Sequence, residues 1–318
     1  MLIVTIRDAS HLVMMERPIF EFEVRDLLCL PQAAYEDVGI IENPFHFFSS
    51  GESSTFKCRE GLLKRILKMS KREPFPYLTG HMLGGSGKTY LLSKTFENYA
   101  ASEEVAVVKL TDIVGYRFPL PAVNLIGKQV LQYLKGASGV KRIVILDEVE
   151  FPELYELCFQ FSDHIIAGGH YLKRDSGELK DKFQEIDIDT QWPISQEDIY
   201  SHLSHLLKLS RGDAIIDSAL VELVAMNTDT IGLAELVLGL LLATYVHRNM
   251  VGRCPTITTD DVRFWLSVIG TNWFWFSMDC WRIKDPVTTT ILYSYCGQRS
   301  SLTLDININA RIRSILEK

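Results

Sequence analysis

The glycine-rich segment at residues 83–89 constrains the fold of this 318-residue chain more than any other feature. It reads Leu-Gly-Gly-Ser-Gly-Lys-Thr, and a glycine-rich turn that ends in Gly-Lys-Thr is typical of loops that hold nucleotide phosphates. Such a loop follows a buried strand and opens a helix, so that backbone N–H groups point at the phosphates. The segment therefore predicts a strand at 77–79, a phosphate-binding loop and a helix at 90–100.

Each residue of this loop has an expected contact. Backbone N–H groups of the glycine-rich turn approach phosphate oxygens, the lysine reaches the β- and γ-phosphates, and the threonine hydroxyl binds Mg²⁺. The predicted nucleotide-binding residues of the loop are Gly84, Gly85, Ser86, Gly87, Lys88, Thr89 and the adjacent Tyr90.

The start of the loop departs from the usual pattern G-x-x-x-x-G-K-[ST]. That pattern requires glycine where this chain has Met82, and the nearest earlier glycine is Gly80. We interpret the loop as genuine but lengthened or altered at this point. The alternative is a glycine-rich turn that arises by chance.

A second motif favours the phosphate-binding interpretation. Residues 143–148 read Ile-Val-Ile-Leu-Asp-Glu, a short β-branched run that predicts a buried parallel strand ending in two carboxylates. In phosphate-loop ATPases the first such carboxylate holds Mg²⁺ and the second polarises the attacking water. We therefore predict Asp147 and Thr89 as metal-binding residues, and Glu148 and Lys88 as catalytic residues. Asp-Glu after a strand is by itself more often a helix start.

Strands and helices alternate around these motifs. Further strands are predicted at 105–110, 164–167 and 183–188 and helices at 56–66 and 120–134, which together indicate an α/β fold with a parallel sheet covered on both faces. From residue 195 the pattern becomes helical, with a capping box at 195–198 and predicted helices at 199–209, 215–226, 232–248 and from 258. Weaker signals predict strands at 2–7 and 20–24, a helix at 287–295 and an alternating segment at 302–308.

Composition limits the environment and the partners. The formal net charge of −7 argues against a surface that coats nucleic acid throughout. The six scattered cysteines contain no C-x-x-C pair and are typical of reduced thiols in an intracellular protein. The longest apolar run, at 233–246, is too short to span a bilayer and predicts a buried helix. We expect a cytoplasmic protein without a membrane partner.

Taken in order, these motifs resemble those of AAA+ ATPases, in the branch of replication-initiator, transposition-regulator and archaeal STAND-like ATPases. The resemblance spans residues 43–266 and implies ATP and Mg²⁺ as cofactors, an AAA+ nucleotide-binding domain and a helical lid. It places Asn43, Pro44 and Phe45 beside the adenine. It also implies that His170, or the backbone of Gly168 and Gly169, senses the γ-phosphate, although a surface loop histidine is an equally good interpretation of His170.

The resemblance also implies a division of the chain. An N-terminal extension would cover 1–42, the nucleotide-binding domain 43–190, the lid 191–268, and a short winged-helix-like or docking segment 269–318. Aromatic residues crowd the start of this last segment, including Trp273, Trp275 and Trp281. They favour a protein core or interface over base stacking.

One departure from the initiator pattern concerns arginine. Relatives carry an arginine at the start of the third lid helix, whereas residues 228–233 contain none. Arg174 could act on the nucleotide of a neighbouring subunit, or it is a solvated loop charge. We therefore expect a homo-oligomer.

The leading functional hypothesis is an ATP-binding, slowly hydrolysing AAA+ switch that controls assembly or a partner. Duplex DNA, and a protein that docks on the C-terminal aromatic segment, are the expected partners. A small-molecule phosphotransferase and a nucleotide-binding scaffold without turnover are the alternatives.

Overall fold

The structure is a computed structural model that describes residues 27, 30–41, 43–45, 59–69, 74–80, 85–111, 127, 130, 132–149, 152–169, 181–270, 288–295 and 298–305. The chain divides into two compact units. The helical unit comprises Met1–Ser49, Leu83–Ser86 and Ile194–Asp285, and the sheet unit comprises Ser50–Met82, Gly87–Pro193 and Pro286–Lys318. The four predicted domains are not tested by this division and stay a prediction. The strands predicted at 2–7 and 20–24 lie outside the described residues.

The secondary-structure elements are numbered along the chain. The helices are α1 (Gln32–Glu36), α2 (Glu60–Lys68), α3 (Lys88–Ala100), α4 (Pro152–Phe161), α5 (Ile188–Gln191), α6 (Gln196–Ser210), α7 (Ser218–Met226), α8 (Ile231–Met250) and α9 (Thr259–Gly270), with a 3₁₀ turn at Gly212–Ala214. The strands are β1 (Phe75–Thr79), β2 (Val105–Thr111), β3 (Lys141–Asp147), β4 (His164–Gly168), β5 (Phe183–Asp187), β6 (Thr288–Tyr295) and β7 (Gln298–Asp305). Within the described part of the predicted helix at 120–134, residues 127, 130 and 132–134 are helical.

The described strands of the sheet unit form a seven-stranded sheet in the order β5-β1-β4-β3-β2-β6-β7. The strands from β5 to β2 are parallel, whereas β6 and β7 extend the sheet as an antiparallel pair. The predicted α/β class and parallel sheet are confirmed, and they are consistent with a phosphate-loop NTPase fold. Ligands of such sheets bind beyond the carboxyl ends of the strands where the connections change direction. Such a point lies between β1 and β4, because the connection from β1 leads to β2 on one side of the sheet and the connection from β4 leads to β5 on the other.

Two apolar clusters cover the two faces of this sheet. Val107 and Ile143 pack with Leu91 of α3 on one face. Val108 and Val144 pack with Leu154 of α4 on the other. The alternation follows from the pleat, since successive side chains of a strand point to opposite faces.

The helical unit is built around α8. Its start is capped by Thr230, whose hydroxyl accepts from the Leu233 N–H at 3.3 Å. Within the described residues α8 is the single helix long and apolar enough to cross a membrane, by length and composition only, and 67% of its most apolar window is buried. Such burial is typical of a core helix. The helices α1, α6, α7 and α9 all pack against α8. Trp265 of α9 donates a hydrogen bond to Thr244 Oγ1 of α8 at 3.3 Å.

The sequence prediction was accurate for most elements and wrong for one. The capping box at the start of α6 is present, with Ser195 and Asp198 exchanging hydrogen bonds. The helix predicted at 287–295 is wrong, because Thr288–Tyr295 forms β6 and pairs with β2. Its run of three threonines followed by isoleucine favours a strand, since β-branched side chains lose rotamer freedom in a helix. The aromatic residues at 273–281 lie outside the described residues.

The burial of α8 predicts a large difference between two of its positions. Leu240 is fully buried and Met250 is 55% exposed. Leu240→Ala should lower the free energy of unfolding by about 2–5 kcal/mol because it leaves a cavity, whereas Met250→Ala should change it by less than about 0.5 kcal/mol. Urea denaturation of both variants measures the difference. Equal effects would contradict the assignment of α8 as a core helix.

Candidate functional site

The residues that follow the glycine-rich loop form the first turn of α3. Gly87 is the N-cap of this helix and has φ +86°, a left-handed conformation that glycine adopts without a steric penalty. Its carbonyl accepts the Leu91 N–H at 3.0 Å and so begins the helical hydrogen bonding. The loop therefore opens a helix directly at Lys88, one of the contexts that a phosphate loop requires. Gly84 lies outside the described residues.

Lys88 and Glu148 lie within ionic reach of each other. The Lys88 Nζ is 3.7 Å from Glu148 Oε1, and the lysine side chain is only 5% exposed. Glu148 has φ +56°, which is costly for a residue with a side chain. Its N–H donates to the Gly168 carbonyl at 2.8 Å, a bond that anchors this turn. The backbone thus bends sharply where β3 ends and directs the second carboxylate to the loop lysine.

Thr89 and Asp147 form the second pair that the sequence predicted. The Thr89 hydroxyl donates to Asp147 Oδ1 at 3.1 Å. Asp147 is completely buried at the end of β3. The two predicted metal-binding side chains therefore contact each other directly.

The site contains a lysine that sequence reasoning missed. The Lys109 Nζ lies 3.3 Å from Asp147 Oδ2 and donates to Ser93 Oγ at 2.8 Å. The register of β2 and β3 explains the contact between Lys109 and Asp147. Thr111 is opposite Asp147, so Lys109 is the diagonal neighbour of Asp147 on the same face of the sheet. A signal was present in the sequence, because Lys109 interrupts an otherwise apolar strand whose buried positions rarely hold an unpaired charge.

The side chains present suit Mg²⁺ better than a metal held by protein ligands alone. Asp147 Oδ2 accepts no hydrogen bond from any described residue, and the Lys109 ammonium at 3.3 Å is its ionic partner. Among the described residues no group of three or more His, Cys, Asp or Glu side chains could form a metal cage. Mg²⁺ is commonly held by one or two protein oxygens together with phosphates and waters. Thr89 and Asp147 fit that pattern.

The chain after β4 passes close to Glu148. A Cβ on Gly169 would lie 3.6 Å from Glu148 Oε2 and only 2.5 Å from the Tyr77 hydroxyl oxygen, so a side chain at this position would displace the Tyr77 hydroxyl group. The Gly169 N–H donates to the Leu78 carbonyl at 3.0 Å. The predicted sensor His170 and the predicted trans residue Arg174 lie outside the described residues, and their roles stay predictions.

In the helical unit, the first described loop residue contacts the start of α8. Gly85 has φ +82°, and its carbonyl accepts the Gly232 N–H at 3.1 Å. The two backbones are so close that a Cβ on Gly232 would lie 2.6 Å from Gly85 Cα. This contact occupies the stretch at 228–233 where the sequence lacks an arginine.

The predicted adenine-side residues also pack within the helical unit. Asn43 Nδ2 donates to the Tyr35 hydroxyl at 3.2 Å and to the Gly239 carbonyl at 3.4 Å. Asn43 Oδ1 accepts the Phe45 N–H at 3.1 Å, and Phe45 is buried while Pro44 between them is half-buried. These contacts give Asn43 a structural role, and its contact with adenine stays a prediction. Ser86 is buried and Tyr90 half-buried.

In the sheet unit, Arg59 at the start of α2 forms hydrogen bonds with residues that follow β5. Its guanidinium donates to the Trp192 carbonyl at 2.6 Å and to Asp189 Oδ1 at 3.1 Å, and it is 1% exposed. Because α5 begins directly after β5, the contact fixes α2 at that edge of the parallel strands.

Comparison with known proteins shows a likeness to a solved structure, whereas two sequence comparisons found no match. No family model matches the chain, and no curated protein matches it. The chain is similar to a chain in a structure of Drosophila ORC bound to DNA, with 15% identity and a TM-score of 0.41 over 81% of this chain and 70% of that chain. At this identity and TM-score the likeness assigns neither a family nor a function.

The contact between Gly85 and Gly232 leads to a test with a matched control. Gly232→Ala should lower the free energy of unfolding by about 1–3 kcal/mol, because the new methyl group meets backbone rather than a flexible side chain. Gly61 is likewise the second residue of its helix, and nothing lies within 4 Å of a Cβ built on it. Gly61→Ala should therefore be neutral or stabilising by up to about 1 kcal/mol. Chemical denaturation checks both, and a Gly232→Ala protein as stable as the wild type would contradict the close approach.

Proposed function

We propose that the protein is a Mg²⁺-dependent ATP-binding switch that hydrolyses ATP slowly and controls assembly or a partner. The observation that carries the proposal is the pairing of Thr89 with Asp147 at 3.1 Å and of Lys88 with Glu148 at 3.7 Å. Both pairs lie where α3 begins and β3 ends, beyond the carboxyl end of a parallel strand. The choice of ATP among nucleotides comes from the resemblance of the motifs.

Phosphate binding falls to the start of α3. The first N–H groups of a helix have no partner within the helix and carry a partial positive charge, which favours an anion. Lys88 adds a full positive charge on the first residue of this helix. Together they suit the β- and γ-phosphates of a nucleotide.

Thr89 and Asp147 would hold Mg²⁺. The ion, when bound, would neutralise charge on the phosphate oxygens and so ease attack on the γ-phosphate. The protein's part is to keep the Thr89 hydroxyl and the Asp147 carboxylate together, which their hydrogen bond does in this structure.

Glu148 is the proposed group that orients the attacking water. Its carboxylate is 23% exposed, in contrast to the fully buried Asp147, so water reaches it. Lys88 neutralises this carboxylate in the present arrangement. When Lys88 turns to the phosphates, Glu148 loses this ionic partner and can accept a proton from water. In this proposal the catalytic carboxylate is restrained by Lys88 until the nucleotide binds.

Assembly and partner binding remain predictions. A homo-oligomer, duplex DNA and a protein partner at the C-terminal aromatic segment were each inferred from the resemblance or from residues outside the described ranges. We retain them as the finer part of the proposal.

Replacing Lys88 tests phosphate binding. Lys88→Ala should weaken binding of a fluorescent ATP analogue by about 100-fold or more, because a charge-assisted contact to phosphate is lost. Lys94 lies on the same helix and pairs with Glu97 at 3.0 Å, so Lys94→Ala is the matched control and should leave affinity unchanged. Fluorescence anisotropy measures both. Unchanged affinity in Lys88→Ala would contradict the phosphate-loop assignment.

Replacing Glu148 separates binding from hydrolysis. Glu148→Gln should retain affinity for the ATP analogue while slowing phosphate release by about 100-fold, because the amide keeps the size of the side chain but cannot accept the proton of water. The control Glu156→Gln removes an exposed carboxylate on α4. A phosphate-release assay checks the rates. Wild-type turnover in Glu148→Gln would remove Glu148 from this role, and absence of turnover in the wild type would favour the scaffold alternative.

A further inference from the structure

The roles proposed above leave Lys109 without a function. This lysine is 3% exposed in the middle of β2, where its ammonium lies 3.3 Å from Asp147 Oδ2 and donates to Ser93 Oγ at 2.8 Å. A buried ammonium loses its hydration, and this cost is offset only when opposite charge and hydrogen bonds are supplied. An apolar residue on this face would pack with Val107 and Ile145 at no such cost. The presence of lysine therefore indicates a role for its charge.

Among the described residues of the site, the charges of the two ion pairs are balanced. Lys88 and Lys109 carry two positive charges, and Asp147 and Glu148 carry two negative charges, all within the two ion pairs. A divalent cation that enters a neutral cluster gains less electrostatic energy than one that enters a negatively charged cluster. Nucleotide phosphates would add the missing negative charge and further oxygen ligands.

We propose that Lys109 is a positioning residue that holds Asp147 towards Thr89 and competes electrostatically with a divalent cation for this carboxylate. The inference rests on the proposed function and names how its metal binding is regulated. Lys109 keeps the affinity for a divalent cation low until a nucleotide is present. Metal binding is thereby coupled to nucleotide binding.

Mn²⁺ in the absence of nucleotide is the probe for this coupling. Electron paramagnetic resonance of free Mn²⁺ measures its dissociation constant without any need for catalysis. Lys109→Met should bind Mn²⁺ about tenfold more tightly than the wild type, because the competing charge is gone. The double variant Lys109→Met/Asp147→Asn should lose this gain, because the carboxylate that the cation binds is absent.

The matched control removes a lysine elsewhere in the same unit. Lys94→Met deletes one positive charge from α3 at a half-buried position, where the lysine pairs with Glu97. It should leave the Mn²⁺ dissociation constant unchanged. Lys109→Met affinity equal to that of the wild type, or tightening that persists in the double variant, would overturn the proposal. Equal tightening in Lys94→Met would do so as well.

A folding measurement keeps the test decisive if the Lys109→Met variant loses structure. Lys109→Met should have a lower thermal unfolding midpoint than the wild type in chelator, because Asp147 is left buried without a counter-charge. Mn²⁺ should raise the midpoint of Lys109→Met more than that of the wild type. Lys109→Gln removes the charge but retains a donor for Ser93, so it should show the same Mn²⁺ response. If neither single variant folds with Mn²⁺ although the double variant folds, the competition is disproved.

The two proposals fail in different ways. If the wild type binds no ATP analogue, the proposed function fails whatever Mn²⁺ does. If the wild type binds the analogue and Lys109→Met binds Mn²⁺ no more tightly than the wild type does, only the proposed role of Lys109 is contradicted.

Discussion

The geometry of the site depends on the buried carboxylate of Asp147. A fully buried carboxylate is tolerated only when its charge is matched, and here α3 supplies Thr89 and β2 supplies Lys109. These contacts join α3 and β2, which are consecutive in the sequence, to the end of β3 more than thirty residues further on. Because Thr89 is fixed against the end of β3, the preceding Lys88 is placed next to the following Glu148. The pairing of Lys88 with Glu148 is therefore a consequence of the pairing of Thr89 with Asp147.

The left-handed turn at Glu148 contributes to the same arrangement. In an extended strand the residue after Asp147 would point to the opposite face of the sheet, away from α3. The positive φ of Glu148 and the hydrogen bond from its N–H to Gly168 redirect the chain at this point. A strained backbone of this kind costs about 1–3 kcal/mol and persists only when its surroundings hold it. β4 provides that support through the Gly168 carbonyl.

Local patterns predicted the parts of the site, and the register of the sheet assembled them. The run at 143–148 was sufficient to predict β3 and its two carboxylates, and the loop motif was sufficient to predict the start of α3. Lys109 was missed because its partner is set by the pairing of β2 with β3, which lies between segments far apart in sequence. The strand β6 was missed for a related reason, because the side chains of 287–295 allow more than one regular structure and pairing with β2 decides between them.

The start of α8 shows how this chain differs from the pattern that its motifs resemble. At residue 232 the backbone approaches Gly85 so closely that even a methyl group would meet Gly85 Cα at 2.6 Å, which excludes an arginine there. The Gly232 N–H is committed to the Gly85 carbonyl. Within the helical unit, the start of α8 therefore contacts Gly85 through backbone rather than through a charged side chain. Residue 232 can either be an arginine that neutralises a γ-phosphate or a glycine that packs closely against Gly85, but not both. This sequence has the glycine.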